Sequence, residues 1–140
     1  MYKFLVQEDF SVQVRDEILS LLDNSTEQSA IKKAEDMAIA QIKQHLGSRY
    51  DTATIFAQQD DNRDMYVVMI TIDLMLYHLW SKKAPRKIPA ERAQRYQDAI
   101  NWLRDAGTGK ITAELPQIPV EDYTGEIIVS SLYKPNCNKF

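Results

Sequence analysis

Apolar positions along this chain recur mainly at intervals of three and four, the period of a helix with one buried face. After an extended start at residues 2–6, the stretch "SVQVRDEILSLLD" (residues 11–23) places Val14, Ile18, Leu19 and Leu22 on one side. Asp23-Asn24 ends that helix. Ser25 with Gln28 three residues on forms a capping box, which satisfies free N–H groups at the start of a second helix. The second helix carries Ile31, Ala34, Ala38, Ile42 and Leu46 on its stripe and stops at Gly47. Ala30, Ala34, Ala38 and Ala40 are small enough to let another helix come close.

Residues 48–64, "SRYDTATIFAQQDDNRD", interrupt the period and read as a polar connection. Its acidic end, Asp60, Asp61 and Asp64, suits the first turn of a following helix, where the helix dipole favours negative charge. The next run, "MYVVMITIDLMLYHLW", is apolar almost all round. It is too long for an ordinary strand, which makes it a central helix enclosed by its neighbours. "SKKAPRKIPA" is a basic, proline-punctuated loop, and Pro89 opens a fourth helix that buries Ala93, Tyr96, Ile100, Trp102 and Leu103. Gly107 closes it as a C-terminal cap. From residue 112 the helical pattern stops: Pro116, Pro119 and Pro135 punctuate a tail with one short β-type run at residues 126–130. The expectation is an all-α fold. Residues 1–111 form a compact bundle of about four helices around a long buried central helix, and residues 112–140 form an extended C-terminal arm with a short β segment.

Composition narrows the function more than the fold. The chain has 140 residues, 44% of them hydrophobic and 26% charged, which suits one soluble domain. A net charge of -3 makes no general case for nucleic acid. The single cysteine, Cys137, reads as a surface thiol in the tail. The N-terminus lacks the basic and apolar pattern of a signal peptide. The apolar run, with 16 residues from 65 to 80 and both Asp73 and His78 inside it, falls short of a membrane span.

Candidate chemistry is sparse. "DAGTGKIT" (residues 105–112) resembles a phosphate-gripping loop, but Arg104 stands where the first glycine belongs and Ile111 where the hydroxyl belongs. It also follows a helix rather than a strand. His45 and His78 have no histidine or cysteine three or four positions on to complete a metal pair. "QQDDNRD" lacks the glycine and terminal glutamate of a calcium loop. Asp73, a carboxylate in the middle of an apolar helix, is costly unless paired, and Arg49 and Arg95 are the candidate partners. No second acid or base accompanies it, so the pair reads as structural. Lys82, Lys83, Arg86, Lys87 and Arg92 make a basic run that could touch nucleic acid or an acidic protein face, though no aromatic residue is interleaved for base stacking. The expectation is no catalytic, cofactor or metal site. A small enzyme using Asp73 with His78 or His45, and a nucleic-acid module using the basic loop, remain the other classes.

The order of pieces carries a resemblance. An Asp9-Phe10 pair precedes a helix ending "LLD"; a second helix closes on "HLGSRYD"; then come "ITIDLMLYHLW" and "ERAQRYQDAINWLRDAGTGKI". Arg95-Tyr96, Ala99, Trp102-Leu103 and Gly109-Lys110, with Arg49-Tyr50 and Asp73, resemble the Mu-like phage and prophage head-tail connector proteins, over about residues 2 to 111. The tail "SSLYKPNCNKF" is loosely similar to that family's polar arm, while "IFAQQDDNR" is more polar than its proline-rich link. The resemblance implies a non-enzymatic helical adaptor between portal and tail proteins. It would form a homo-oligomeric ring in the virion after assembly in the host cytoplasm, with no membrane and no cofactor. The surfaces expected to make contacts are the basic loop at Lys82, Lys83, Arg86 and Lys87 and the tail residues Ile127, Ile128 and Val129.

Overall fold

The computed structural model describes residues 3–15, 18–19 and 29–119. In chain order its elements are α1 (Gln7–Phe10), α2 (Ser29–Leu46), α3 (Thr52–Ala57), a 3-10 turn (Asp60–Asn62), α4 (Met65–Lys83) and α5 (Ala90–Thr108). The three long helices each pack on the other two. The result is a compact helical bundle.

α4 is the axis of the bundle. Val67, Val68, Ile70, Ile72, Leu74, Met75, Leu76 and Leu79 are all buried, so its apolar surface faces protein nearly all round. Thr71, also buried, donates its hydroxyl to the Val67 carbonyl at 2.7 Å, which satisfies it inside the helix. Asp64 is the N-cap, accepting from the Val67 N–H at 3.0 Å. α2 applies Ile31, Ala34, Ala38, Ile39, Ile42 and Leu46 to this axis. α5 applies Ala99, Leu103 and Ala106, with Tyr96, Ile100 and Trp102 partly buried beside them. Small residues on both helices keep the axes close.

Several expectations need correction. Residues 11–14 are a turn following α1 rather than the start of a helix, though residues 18–19 are helical; Ile18 is exposed, whereas Leu19 is buried and Val14 partly so. Leu22, the expected stop at residues 23–24 and the Ser25 capping box lie outside the described residues. The polar connection contains α3, because Asp51 caps it twice: its carboxylate accepts from the Thr54 N–H at 3.2 Å and the Thr54 hydroxyl at 2.7 Å. Asp60 and Asp61 start the 3-10 turn, so only Asp64 serves α4. Ala93 is exposed, one position off the stripe that α5 buries.

The fourth helix ends later than its glycine pattern suggests. α5 runs through Thr108, and Gly109 is the cap, with a φ of 88° in the left-handed region that glycine adopts without penalty. Gly107 does different work. It lies where α5 crosses the end of α2, and a methyl group there would collide with the His45 carbonyl.

The bundle also extends past residue 111. The Ala113 N–H donates to the buried Tyr50 hydroxyl at 2.9 Å, the Asp51 N–H to the Pro116 carbonyl at 2.8 Å and the Ile118 N–H to the Arg49 carbonyl at 3.1 Å. Tyr50 and Gln117 form an isolated antiparallel bridge, and Ala113 and Leu115 pack on the core. Residues 113–118 are therefore fastened to the domain rather than free of it. The expected β segment at residues 126–130 lies outside the described residues.

Candidate functional site

Asp73 sits mid-way along α4 with its side chain 5% exposed. α4 and α5 form an antiparallel hairpin, which brings the first half of α5 alongside it. Arg95 reaches Asp73 with Nε 2.9 Å from Oδ1. Arg92, one turn earlier, places Nη1 3.6 Å from the same oxygen, beyond hydrogen-bond distance but within ion-pair range. Gln13 joins the two arginines from the other side: its carbonyl accepts from Arg92 Nη2 at 3.1 Å and its Oε1 from Arg95 Nη2 at 3.2 Å. Burial, the largest influence, raises the Asp73 carboxyl above its ordinary pKa, against the pull of Arg95 and Arg92.

Arg49 is not part of this cluster. It follows α2 at the opposite end of α5, where Nη1 donates to the Ala106 carbonyl at 2.8 Å and the Ile111 carbonyl at 3.3 Å. A cation there meets the exposed carbonyls and negative dipole of a helix C-terminus. The hairpin register decides the matter: Arg95 lies opposite Asp73 and the α5 terminus does not.

A second network ties down the N-terminal segment. Glu35 is 1% exposed, and its carboxylate accepts from the backbone N–H groups of Lys3, Phe4 and Leu5 at 2.7, 2.9 and 2.9 Å. Beside it, Arg63 and Asp9 form a bidentate pair at 2.6 and 3.1 Å, with side chains only 6% and 10% exposed. Arg63 also donates to the Phe4 and Asp60 carbonyls. Sequence reasoning missed Glu35 and Arg63. Glu35 falls between apolar stripe positions, so only its proximity to Ala34 and Ala38 hints that it turns inward.

His78 lies beside aromatic rings rather than beside a nucleophile. Its Nε2 is 2.6 Å from Gln41 Oε1, Gln41 donates to the Tyr96 hydroxyl at 3.1 Å, and Tyr96 stacks on Tyr77 at 4.0 Å. Burial lowers the His78 pKa, favouring the neutral ring. No group of three histidine, cysteine or acidic side chains able to hold a metal occurs among the described residues. Lys82 and Lys83 end α4 and, with Arg86 and Lys87, are exposed; Arg92 faces inward and leaves that run. Ile127, Ile128 and Val129 lie outside the described residues.

Among the grooves that open between the described residues, two lie along α4. One, about 610 Å³, lies above Arg92 and Arg95 and is lined by Val12, Met65, Met69 and Ile72 as well. The other, about 390 Å³, runs between α2 and the end of α4. The first mixes aliphatic and methionine side chains with the charges of Glu8, Asp9, Glu91, Arg92 and Arg95, while the second is mainly aliphatic with Lys33 and Lys82 at its rim.

Residues 5–130 match the family model described as Bacteriophage Mu, Gp36. The chain belongs to the Mu Gp36 family. It is thus a Mu-like phage protein, and the family match runs beyond the bundle through residues 120–130. No curated protein and no solved structure matches it. No helix among the described residues is long and apolar enough to cross a membrane.

Proposed function

We propose that this protein is a non-enzymatic head-tail connector, a virion component that joins portal to tail through ring-forming protein contacts after assembly in the host cytoplasm. The observation that carries the reading is the Mu Gp36 family match over residues 5–130. The fold adds support of a second kind. Asp73, Glu35, Asp9 and Arg63 each make bonds that fix one segment to another, which is how a rigid adaptor body uses buried charge. The methionine-bearing grooves offer adaptable surfaces for neighbours.

A phage carrying this gene with an early stop codon tests the role. Electron microscopy of the lysate should show heads and tails separately, with joined particles restored when the protein is supplied from a plasmid. Normal joined virions without it would overturn the reading. Exposed Lys82, Lys83, Arg86 and Lys87 leave a nucleic-acid contact as the competing outcome, recognisable by DNA affinity that falls steeply with salt.

A further inference from the structure

The groove between α2 and α4 is built by absence of bulk. Ala30 and Ala34 leave the floor low, Leu79 supplies an apolar wall, and Met37, 46% exposed, stands at the open edge. Among the described residues, the charged side chains that line it are Lys33 and Lys82, and none of them is acidic. Such a site fits an extended or helical segment that is apolar on one side and acidic on the other.

This chain carries such a segment. Residues 120–130, "VEDYTGEIIVS", contain three acids and no base beside the run Ile127, Ile128 and Val129. They begin directly after the stretch fastened to Arg49 and Tyr50, and they close the region that matches the family. Eleven residues of extended chain span roughly 35 Å at about 3.3 Å each, enough to leave one bundle and reach the next. We infer that residues 120–130 of one copy dock in the α2–α4 groove of a second copy, with Glu121, Asp122 and Glu126 meeting Lys33 and Lys82. Arm and groove are different surfaces, so the contact is head-to-tail, the type that closes into a ring when its rotation permits. The inference rests on the connector reading for its partner, a second copy.

Single-cysteine full-length chains test it, in a Cys137→Ser background and with the portal protein present. One carries Met37→Cys and the other Ile128→Cys. Mild oxidation of the mixture should give a dimer-sized band that neither chain gives alone. Lys33→Glu with Lys82→Glu in the groove copy should remove the band. Replacing Glu121, Asp122 and Glu126 by Lys in the arm copy should bring it back. No band in the mixture overturns the inference, as does cross-linking confined within one chain carrying both cysteines, which would make the occupant the chain's own arm. Light scattering of the Cys137→Ser protein separates the two readings: rings without the cross-link contradict only the groove assignment, while a monomer that ignores the portal contradicts the connector role as well.

Discussion

Glu35, Asp9 and Asp73 are carboxylates drawn out of water, and each is met by different chemistry. Glu35 takes three backbone N–H groups, Asp9 a bidentate guanidinium, and Asp73 one hydrogen-bonded arginine with a second at longer range. Removing one partner costs most where the other cannot reach solvent. Arg63→Ala leaves the nearly enclosed Asp9 without its countercharge, with only the Val6 N–H still donating to it, so it should destabilise by about 3 to 5 kcal/mol. Asp73→Ala should cost less, about 1 to 3 kcal/mol, because Arg95 is 36% exposed and can turn to water, while the more enclosed Arg92 keeps its bond to the Gln13 carbonyl. Urea denaturation of both variants measures the order, and a larger loss for Asp73→Ala would contradict this account.

His78 makes a pH prediction at the same scale. Its folded-state pKa is lowered from 6.5, so the unfolded chain takes up its proton first as pH falls. That contribution to stability is present above about 6.5 and is lost as pH drops through and below that value. His78→Gln should flatten the pH dependence of the melting temperature between about pH 5 and 7. An unchanged slope would show that the ring does not titrate differently on unfolding.

At the scale of elements, glycine positions show what the sequence could and could not convey. The helices over residues 29–46, 65–83 and 90–108 were legible because their apolar period is strong, and α4 was legible as the buried axis because it is apolar all round. The terminus of α5 was not. "AGTG" offers two glycines, and a pattern read along one helix cannot reveal that Gly107 touches α2 while Gly109 turns the chain. The same blindness hid Asp51 as a cap inside a polar stretch and left Arg49 beside Arg95 as a candidate partner for Asp73, since register between helices is a property of the pair. Gly107→Ala should therefore destabilise by about 1 to 3 kcal/mol through overpacking against the His45 carbonyl. Gly109→Ala should cost about 1 to 2 kcal/mol through its left-handed backbone. A double variant close to the sum would fit two separate causes; Gly107→Ala without effect would contradict the close crossing.

The C-terminal boundary also belongs to this scale. Prolines made the chain beyond residue 111 look detached, but backbone bonds to Arg49, Tyr50 and Asp51 do not register in periodicity. A chain ending at residue 119 should melt near the full-length temperature, whereas one ending at residue 111 should melt lower by several degrees, having lost the cover over Tyr50. Equal melting temperatures would show the docked segment to be inert.

For the whole molecule, the described residues form a helical bundle with residues 113–118 bonded to its surface and grooves open beside its long helices. The fold and the phage family were within reach of the sequence, through the helical period and the ordered run of Asp73, Arg95-Tyr96 and Gly109-Lys110. The grooves were not, because each is assembled from elements distant in the chain: Ala30 and Met37 face Leu79 and Lys82 only after α2 packs on α4. The central claim is assembly onto the portal. Electron microscopy of the purified full-length chain mixed with the portal protein of the same phage tests that claim most directly. The account predicts closed rings of one diameter stacked coaxially on the portal; a chain that stays monomeric and unbound in that mixture would contradict it.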